Sequence, residues 1–425
     1  QGAPLAARIQ ALRGGYASLL GEIDRSLDVS IRTADGLLDQ VAELNIRIAQ
    51  AEQGVGEAGS LRDERDRLIE EISALLDVTV IEQPNGVVNL LVGSIPVVMG
   101  GESRGLELRT RSVGDALEVT VRVEADGSHL SVQSGSIGAL LRQRAQTVEP
   151  AIEHLDTFTS QLILQVNNIH AQGEGLRGFR IDTGTIGVTD TTTPLNADAN
   201  NLPWPIRNGS FTINVTHPGS GLRTSHVVTV DGDVDSLEDL VTRINTTLGA
   251  SGLTASISLD RTLSIEVDPG YQFSYADDSS GALAALGLGA FFSGRDAGDI
   301  AVSNALLNDS SLLASGINGI HGSNGTALAM VALQEKPLEA LGGRTLRAFW
   351  QGSVNDHAVR AAAASNAAES SRLVRENIAA QHQAVSGVSL DEEAVNLLAF
   401  QRQFQAAARF VAAIDEVMQT LLSIA

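Results

Sequence analysis

Asp391, Glu392 and Glu393 stand in a row in SGVSLDEEAVNLLAFQRQFQAAARF (386–410). Adjacent carboxylates do acid–base or metal chemistry only where further ligands converge on them. No histidine lies nearby on the same face. Ser389-Leu390-Asp391-Glu392 instead matches the capping box S-x-x-E. There Ser389 accepts from a backbone N–H one turn on, and Glu392 reaches back to the N-cap N–H. The acids also oppose the positive end of the helix dipole. A second acidic run, Asp231-Gly232-Asp233-Val234-Asp235, opens like a calcium loop, but Ser236 and Thr242 stand where that loop needs Gly and Glu. It reads as an acidic turn before a helix capped by Ser236. His154 and His170 are too far apart along one helix to share a metal, and neither belongs to an H-E-x-x-H pair. Gly287-Leu288-Gly289 lacks the G-K-[ST] of a phosphate loop, and there is no G-x-S-x-G elbow. With no cysteine there is no thiolate site. The expectation is a structural protein, not an enzyme, with no cofactor and no metal.

The elements around these residues are more informative. Leu397, Phe400, Phe404, Ala407, Val411, Ile414, Met418 and Leu421 alternate steps of three and four, and Leu422 widens the stripe. This is a heptad seam in a helix over about 389–425. Terminal helices usually fray and turn polar, whereas this one stays apolar, so the seam needs a partner. A second seam, Leu5, Ile9, Leu12, Tyr16, Leu19, Ile23, Leu27, Ile31, Ala34, Leu38, Val41, Asn45 and Ile48, carries a stutter near 23–31. Gly14, Gly15, Gly21 and Gly36 allow a break in it. Ser60-Leu61-Arg62-Asp63 is expected to cap the next helix. VTVIEQ, VVNLLVG, IPVVMG, LELRTR and ALEVTVRVE alternate like strands of one small sheet, with a turn at Asn85-Gly86. Helical period returns over about 136–170, with a kink or fresh start at Pro150. Residues 211–275 read as strands around one helix striped by Leu237, Leu240, Val241, Ile244 and Leu248. From about 299 the chain is expected to be helical to its end.

The fold class expected is therefore α+β and multidomain. An elongated helical, coiled-coil-like domain is built from both chain ends: residues 1–180, with a β-hairpin region at about 78–130, and residues 299–425. A mainly-β domain, 181–298, is inserted between them. The charge, 29 basic against 51 acidic residues, is −22. That argues against a nucleic-acid or anionic-membrane partner. No apolar run reaches the roughly 18–20 residues of a membrane span, and QGAPLAARIQ lacks the features of a signal peptide.

Several stretches carry a resemblance. ELNIRIAQAE (43–52), SLRDERDRLIEEISALLDVTVIEQPNGVVNLLVG (60–93), SGSIGALLRQR (134–144), LDTFTSQLILQVNNIHAQG (155–173, with Asn167, His170 and Gly173), ALAALGLGAFFSG (282–294) and the stretch from 388 to 425 resemble the flagellar hook-associated protein 1 family. Members begin with an axial Asn-x-x-Thr-Pro-Gly-Tyr type motif that is absent here, so a missing N-terminal helical segment is expected. The resemblance implies a structural part of the bacterial flagellum, exported unfolded through the type III channel without a cleaved signal peptide. It implies a ring on the end of the hook, made through terminal helices. The implied partners are other copies, hook protein, the second hook–filament junction protein and an export chaperone for the C-terminal helix. A filament subunit, the second junction protein itself, or a glycan-binding or hydrolysing insertion in 181–298 are the alternatives.

Overall fold

The computed structural model describes residues 2–53, 57–113, 116–317, 320, 322–386 and 390–424, and the side chains of these except 112–113, 116, 385–386, 390–393 and 415–424. It is α+β: long terminal helices and several small antiparallel sheets. By contacts the chain divides into two units, one up to Ser353 and one from Val354.

In the first unit, α1 (Gly2–Ala51) is one uninterrupted helix despite the four glycines in its interior, 14, 15, 21 and 36. The seam from Ile23 to Ile48 explains its persistence. Ile23, Leu27, Ile31, Ala34, Leu38, Val41, Asn45 and Ile48 are all buried, straight through the stutter, and that burial outweighs the roughly 1 kcal/mol each glycine costs against alanine. Leu5, Leu12 and Leu19 are exposed, so the seam is covered on one side only near the start. The next helix, α2 (Gly59–Leu75), does not use Ser60 as its cap. Its N-cap is Ala58, and no side chain of the cap residue bonds the first turn. Glu52, at the end of α1, accepts from the Ala58 N–H at 3.0 Å and from Arg62 at 2.7 Å, which supplies the missing acceptor from outside the helix.

Strands β1 (Val78–Glu82), β2 (Val88–Val92), β3 (Ile95–Met99) and β4 (Glu102–Ser103) form one antiparallel sheet. In the 83–87 loop between β1 and β2, Gly86 takes φ 77°, a value Cβ disfavours. Strands β5 (Leu106–Val113), β6 (Ala116–Val123) and β7 (His129–Leu130) form a second sheet rather than continuing the first. The first N–H of β5, on Leu106, donates to Asp35 of α1 at 2.9 Å instead of to a neighbouring strand. Asn45, fully buried, fastens α1 to the first sheet. Its amide donates to the Val88 and Gly100 carbonyls at 2.8 and 2.6 Å, and its oxygen accepts from the Val88 N–H at 3.1 Å.

Helix α3 (Gly135–Gln143) runs through a π-helical turn (Arg144–Val148) into α4 (Glu149–His170). Pro150 sits in the first turn of α4, directly after the π-helical turn, so the helix changes its hydrogen-bond pattern where proline supplies no N–H. Beyond it come β8 (Ile181–Thr183), β9 (Gly209–His217), β10 (Leu222–Val230), α5 (Leu237–Leu248), β11 (Leu253–Ile257), β12 (Leu263–Val267), β13 (Gln272–Ala276) and α6 (Ala282–Leu286). Two sheets, ordered β10-β9-β13 and β11-β12-β8, share a core with α5 and α6. The capping box at Ser236 is present: its Oγ accepts from the Asp239 N–H at 3.1 Å, and Asp239 accepts from the Ser236 N–H at 3.0 Å.

Helix does not resume at once after 299. A two-stranded ladder of β14 (Phe292–Ser293) and β15 (Ala301–Val302) leads into the short helices α7 (Asn304–Asn308) and α8 (Gly325–Ala332) and several turns. Ser310-Ser311 and the paired glycines 342–343, both at positive φ, keep any one helix from running on. Then α9 (Leu346–Ser386) starts in the first unit and continues into the second, which also holds α10 (Leu390–Ile424).

Candidate assembly surface

Helix α10 is a helix because its residues favour one: alanine, leucine, glutamine and glutamate dominate, with no glycine or proline from 390 to 424. The described part of its stripe, residues 394–414, is exposed. Leu397, Phe400, Phe404, Ala407, Val411 and Ile414 are all exposed, Phe400 at 70%, Phe404 at 77% and Ile414 at 47%. Val395, Leu398 and Phe410 are exposed as well and broaden the apolar surface. Met418, Leu421 and Leu422 continue the spacing within α10, and their side chains lie outside the described residues. So do Ser389 and the side chain of Glu392, the expected cap, and the other two acids of the row.

The second unit's part of α9 is equally uncovered. Val354, Ala358, Ala361, Ala368, Val374 and Ile378 are exposed, as are Val359 and Leu373. Its other faces are solvated, with ion pairs between Arg360 and Asp356 at 2.7 Å and between Arg372 and both Glu369 and Glu376. Such pairs support a helix by a few tenths of a kcal/mol each and do nothing for its apolar face. Monomeric proteins rarely leave contiguous apolar surface of this kind in water.

The root of α9 is held firmly in the first unit. Phe349 stacks on His154 with centroids 5.6 Å apart, Trp350 lies against Phe158 at 5.5 Å, and the Arg344 guanidinium sits 4.7 Å above the Phe349 ring. His154 is thus a packing residue.

His170 is one too, but it belongs to a buried polar relay that sequence reasoning did not assemble. Asn167 of α4 accepts from the Phe291 and Phe292 N–H groups at 3.0 and 2.9 Å and donates to the Phe292 carbonyl at 2.8 Å. One turn on, His170 Nδ1 donates to the Gly289 carbonyl at 2.7 Å, and its Nε2 accepts from the Ala314 N–H at 3.1 Å. Those two partners assign the neutral tautomer. The Gly289 N–H donates to Asp182 Oδ2 at 2.8 Å, and the Tyr275 hydroxyl donates to the same oxygen at 2.9 Å. Burial raises the Asp182 pKa to about 6 and raises that of Tyr275, while burial lowers that of His170. Gly173 ends the motif because a Cβ there would strike Thr326 and Ala314. Asp182 and Tyr275 lie 93 residues apart, so no local pattern announces their meeting.

In the acidic turn each carboxylate has a protein partner of its own. Asp235 is engaged by Arg243 at 2.7 Å, Asp231 by Asn208 at 2.9 Å and Asp233 by Asn196 at 2.6 Å. Among the described residues no three His, Asp or Glu side chains cluster to hold a metal ion, and no helix is long and apolar enough to cross a membrane.

The exposed seam of residues 397–414 has the spacing of a helix–helix contact. Residues 1–185 match the helical domain of flagellar hook-associated protein FlgK, and residues 379–424 match the C-terminal region of the flagellar basal-body rod proteins FlgEFG. Flagellar hook-associated protein 1 of Escherichia coli K12 is 22% identical over 95% of this chain and 71% of its own length. The Salmonella typhimurium LT2 protein is 22% identical over 95% of this chain and 72% of its own. The solved hook junction protein FlgK from Burkholderia pseudomallei aligns over 74% of this chain at 21% identity and a TM-score of 0.40; the chain spans 54% of that structure's length. This chain is FlgK-like: its homologues are flagellar hook-associated protein 1 proteins, and both family models it matches describe flagellar proteins.

Proposed function

We propose that this chain joins hook to filament by assembling into a ring through its terminal helices, with α10 as the principal contact. The observation that carries the reading is the exposed seam Leu397–Ile414, whose spacing is that of a helix–helix interface. The partners proposed are other copies of the chain, hook protein and the second hook–filament junction protein, with a cytoplasmic chaperone covering α10 before export. Export is proposed to proceed unfolded through the flagellar type III channel without cleavage of a signal peptide. The absence of cysteine suits threading through such a channel. The domain plan proposed is a helical body of residues 1–180 and 299–425 carrying the β insertion 181–298, and the role proposed is structural rather than enzymatic.

The test is complementation. The gene encoding this chain is expressed in a strain whose own hook-associated protein 1 is deleted. Restored filaments and swimming are expected, and are lost in Phe400→Asp/Phe404→Asp while the protein is still made. Swimming restored equally by the double variant overturns the role of α10. A long filament grown from this chain alone assigns it to the filament subunits instead.

A further inference from the structure

The relay through His170 crosses five segments: the last residue of α4, the 287–291 loop, the 311–316 segment, and the strands β8 and β13. Its two ends are chemically unlike. At the Asp182 end both bonds fall on one oxygen, Oδ2. A proton arriving on the other oxygen leaves both in place, because a protonated carboxyl keeps its acceptor capacity. At the His170 end, Nε2 accepts from the Ala314 N–H. A proton on Nε2 turns that nitrogen into a donor, and two N–H groups then face each other. Nδ1 still donates to Gly289 in either state.

We propose that protonation of His170 opens the relay at its Ala314 end only, loosening the 311–316 segment from α4 while the Asp182–Gly289–Tyr275 end stays shut. What then holds the segment is its pairing with the 174–177 stretch, together with bonds from α8, where the Thr326 hydroxyl donates to the Gly316 carbonyl at 2.7 Å and the Ala327 N–H to the Ser315 carbonyl at 3.3 Å. The Ser315 and Gly316 N–H groups donate to the Glu174 carbonyl at 3.1 and 3.0 Å, and the Arg177 N–H donates to the Ser311 carbonyl at 3.2 Å. The device is an acid-sensitive fastening between α4 and the 311–316 segment, and it does not depend on ring assembly.

The groups around His170 allow this chemistry. On the 287–291 side it faces the Gly289 carbonyl and the Phe291 ring, 5.6 Å away edge-on. Across the cleft beside it lie Glu174, paired with Arg223 of β10, and Arg177. Asp182 and Tyr275 reach it only through Gly289. The 311–316 segment presents a backbone N–H and no side-chain charge at His170. No carboxylate bonds the ring directly, so burial works against the imidazolium and its bond to Gly289 partly offsets this.

The experiment is hydrogen exchange of the Ala314, Ser315 and Gly316 amides in the whole chain between pH 7.5 and 4.5, corrected for intrinsic rates. A histidine titration by NMR runs beside it, with His170 assigned by its absence in His170→Gln. Glutamine can donate to Gly289 and accept from Ala314, but it does not titrate. The expected result is that Ala314 protection falls about tenfold in step with the His170 titration, midpoint below 6.5, while Gly289 protection is unchanged. In His170→Gln the Ala314 step is absent. Ala314 protection that is flat across the His170 titration overturns the proposal, as does an equal step in His170→Gln. Loss of Gly289 protection together with that of Ala314 overturns its one-ended character. Should His170→Gln fail to fold, the wild-type titration alone still decides.

Discussion

Helices α5 and α10 carry the same kind of stripe and meet opposite fates. In α5, Leu237, Leu240, Ile244 and Leu248 recur at steps of three and four, and each is 0% exposed. In α10, Leu397, Phe400, Phe404, Val411 and Ile414 recur at the same steps and are 47–77% exposed. Periodicity states that a face is made to be covered. It does not state whether the cover comes from the same chain. The difference lies in the surroundings: α5 has strands β10 and β11 against it, whereas residues 394–414 of α10 include no buried residue.

The sharpest way to break this comparison is truncation on both helices. Leu240→Ala removes a fully buried side chain and is expected to cost about 2–5 kcal/mol in urea unfolding. Phe404→Ala, although it deletes a larger side chain, is expected to shift the unfolding of the unassembled chain by no more than about 0.5 kcal/mol. Equal costs would mean that α10 is already packed.

The first unit's buried polar contacts give the next effects. The folded-state pKa of Asp182, about 6, lies above its unfolded value of 3.8. Its contribution is therefore fully present below about pH 3.8 and is lost as pH rises through 6. At about 1.36 kcal/mol per pKa unit the loss is of order 3 kcal/mol. Urea midpoints of wild type relative to Asp182→Asn, taken at matched pH from 4 to 7.5, are expected to fall across that window. Comparing at matched pH cancels His170, whose lowered pKa acts with the opposite sign. Asn45→Ala leaves the Val88 and Gly100 groups without their buried partner and is expected to cost about 1–3 kcal/mol.

The smallest effect sharpens the comparison at the helix ends. Ser236→Ala removes the Oγ that accepts from the Asp239 N–H and is expected to cost about 1 kcal/mol in thermal unfolding.

Much of this was legible in the sequence, and the rest fails for identifiable reasons. The helix of α10, the Ile23–Ile48 seam and the α5 stripe follow from local periodicity and the Ser236 cap from a local motif, and such local patterns survive folding. The strands after Val78 divide into two sheets, and at the start of the second the Leu106 N–H goes to Asp35 of α1, 71 residues away, a contact no local pattern announces. The cap expected at Ser60 was displaced by Glu52, a side chain from the preceding helix. The relay joins His170, Asp182, Tyr275 and backbone groups at 289 and 314. Only three-dimensional proximity connects those residues, so His170 read as an ordinary helix position.

The central claim is that the α10 face is covered by partner helices only on assembly. Hydrogen exchange of residues 394–414, in the dilute chain and again in the assembled hook–filament junction, tests it most directly. Fast exchange in the dilute chain and strong protection after assembly are predicted. Strong protection already present in the dilute monomer, or none in the assembly, would contradict the account.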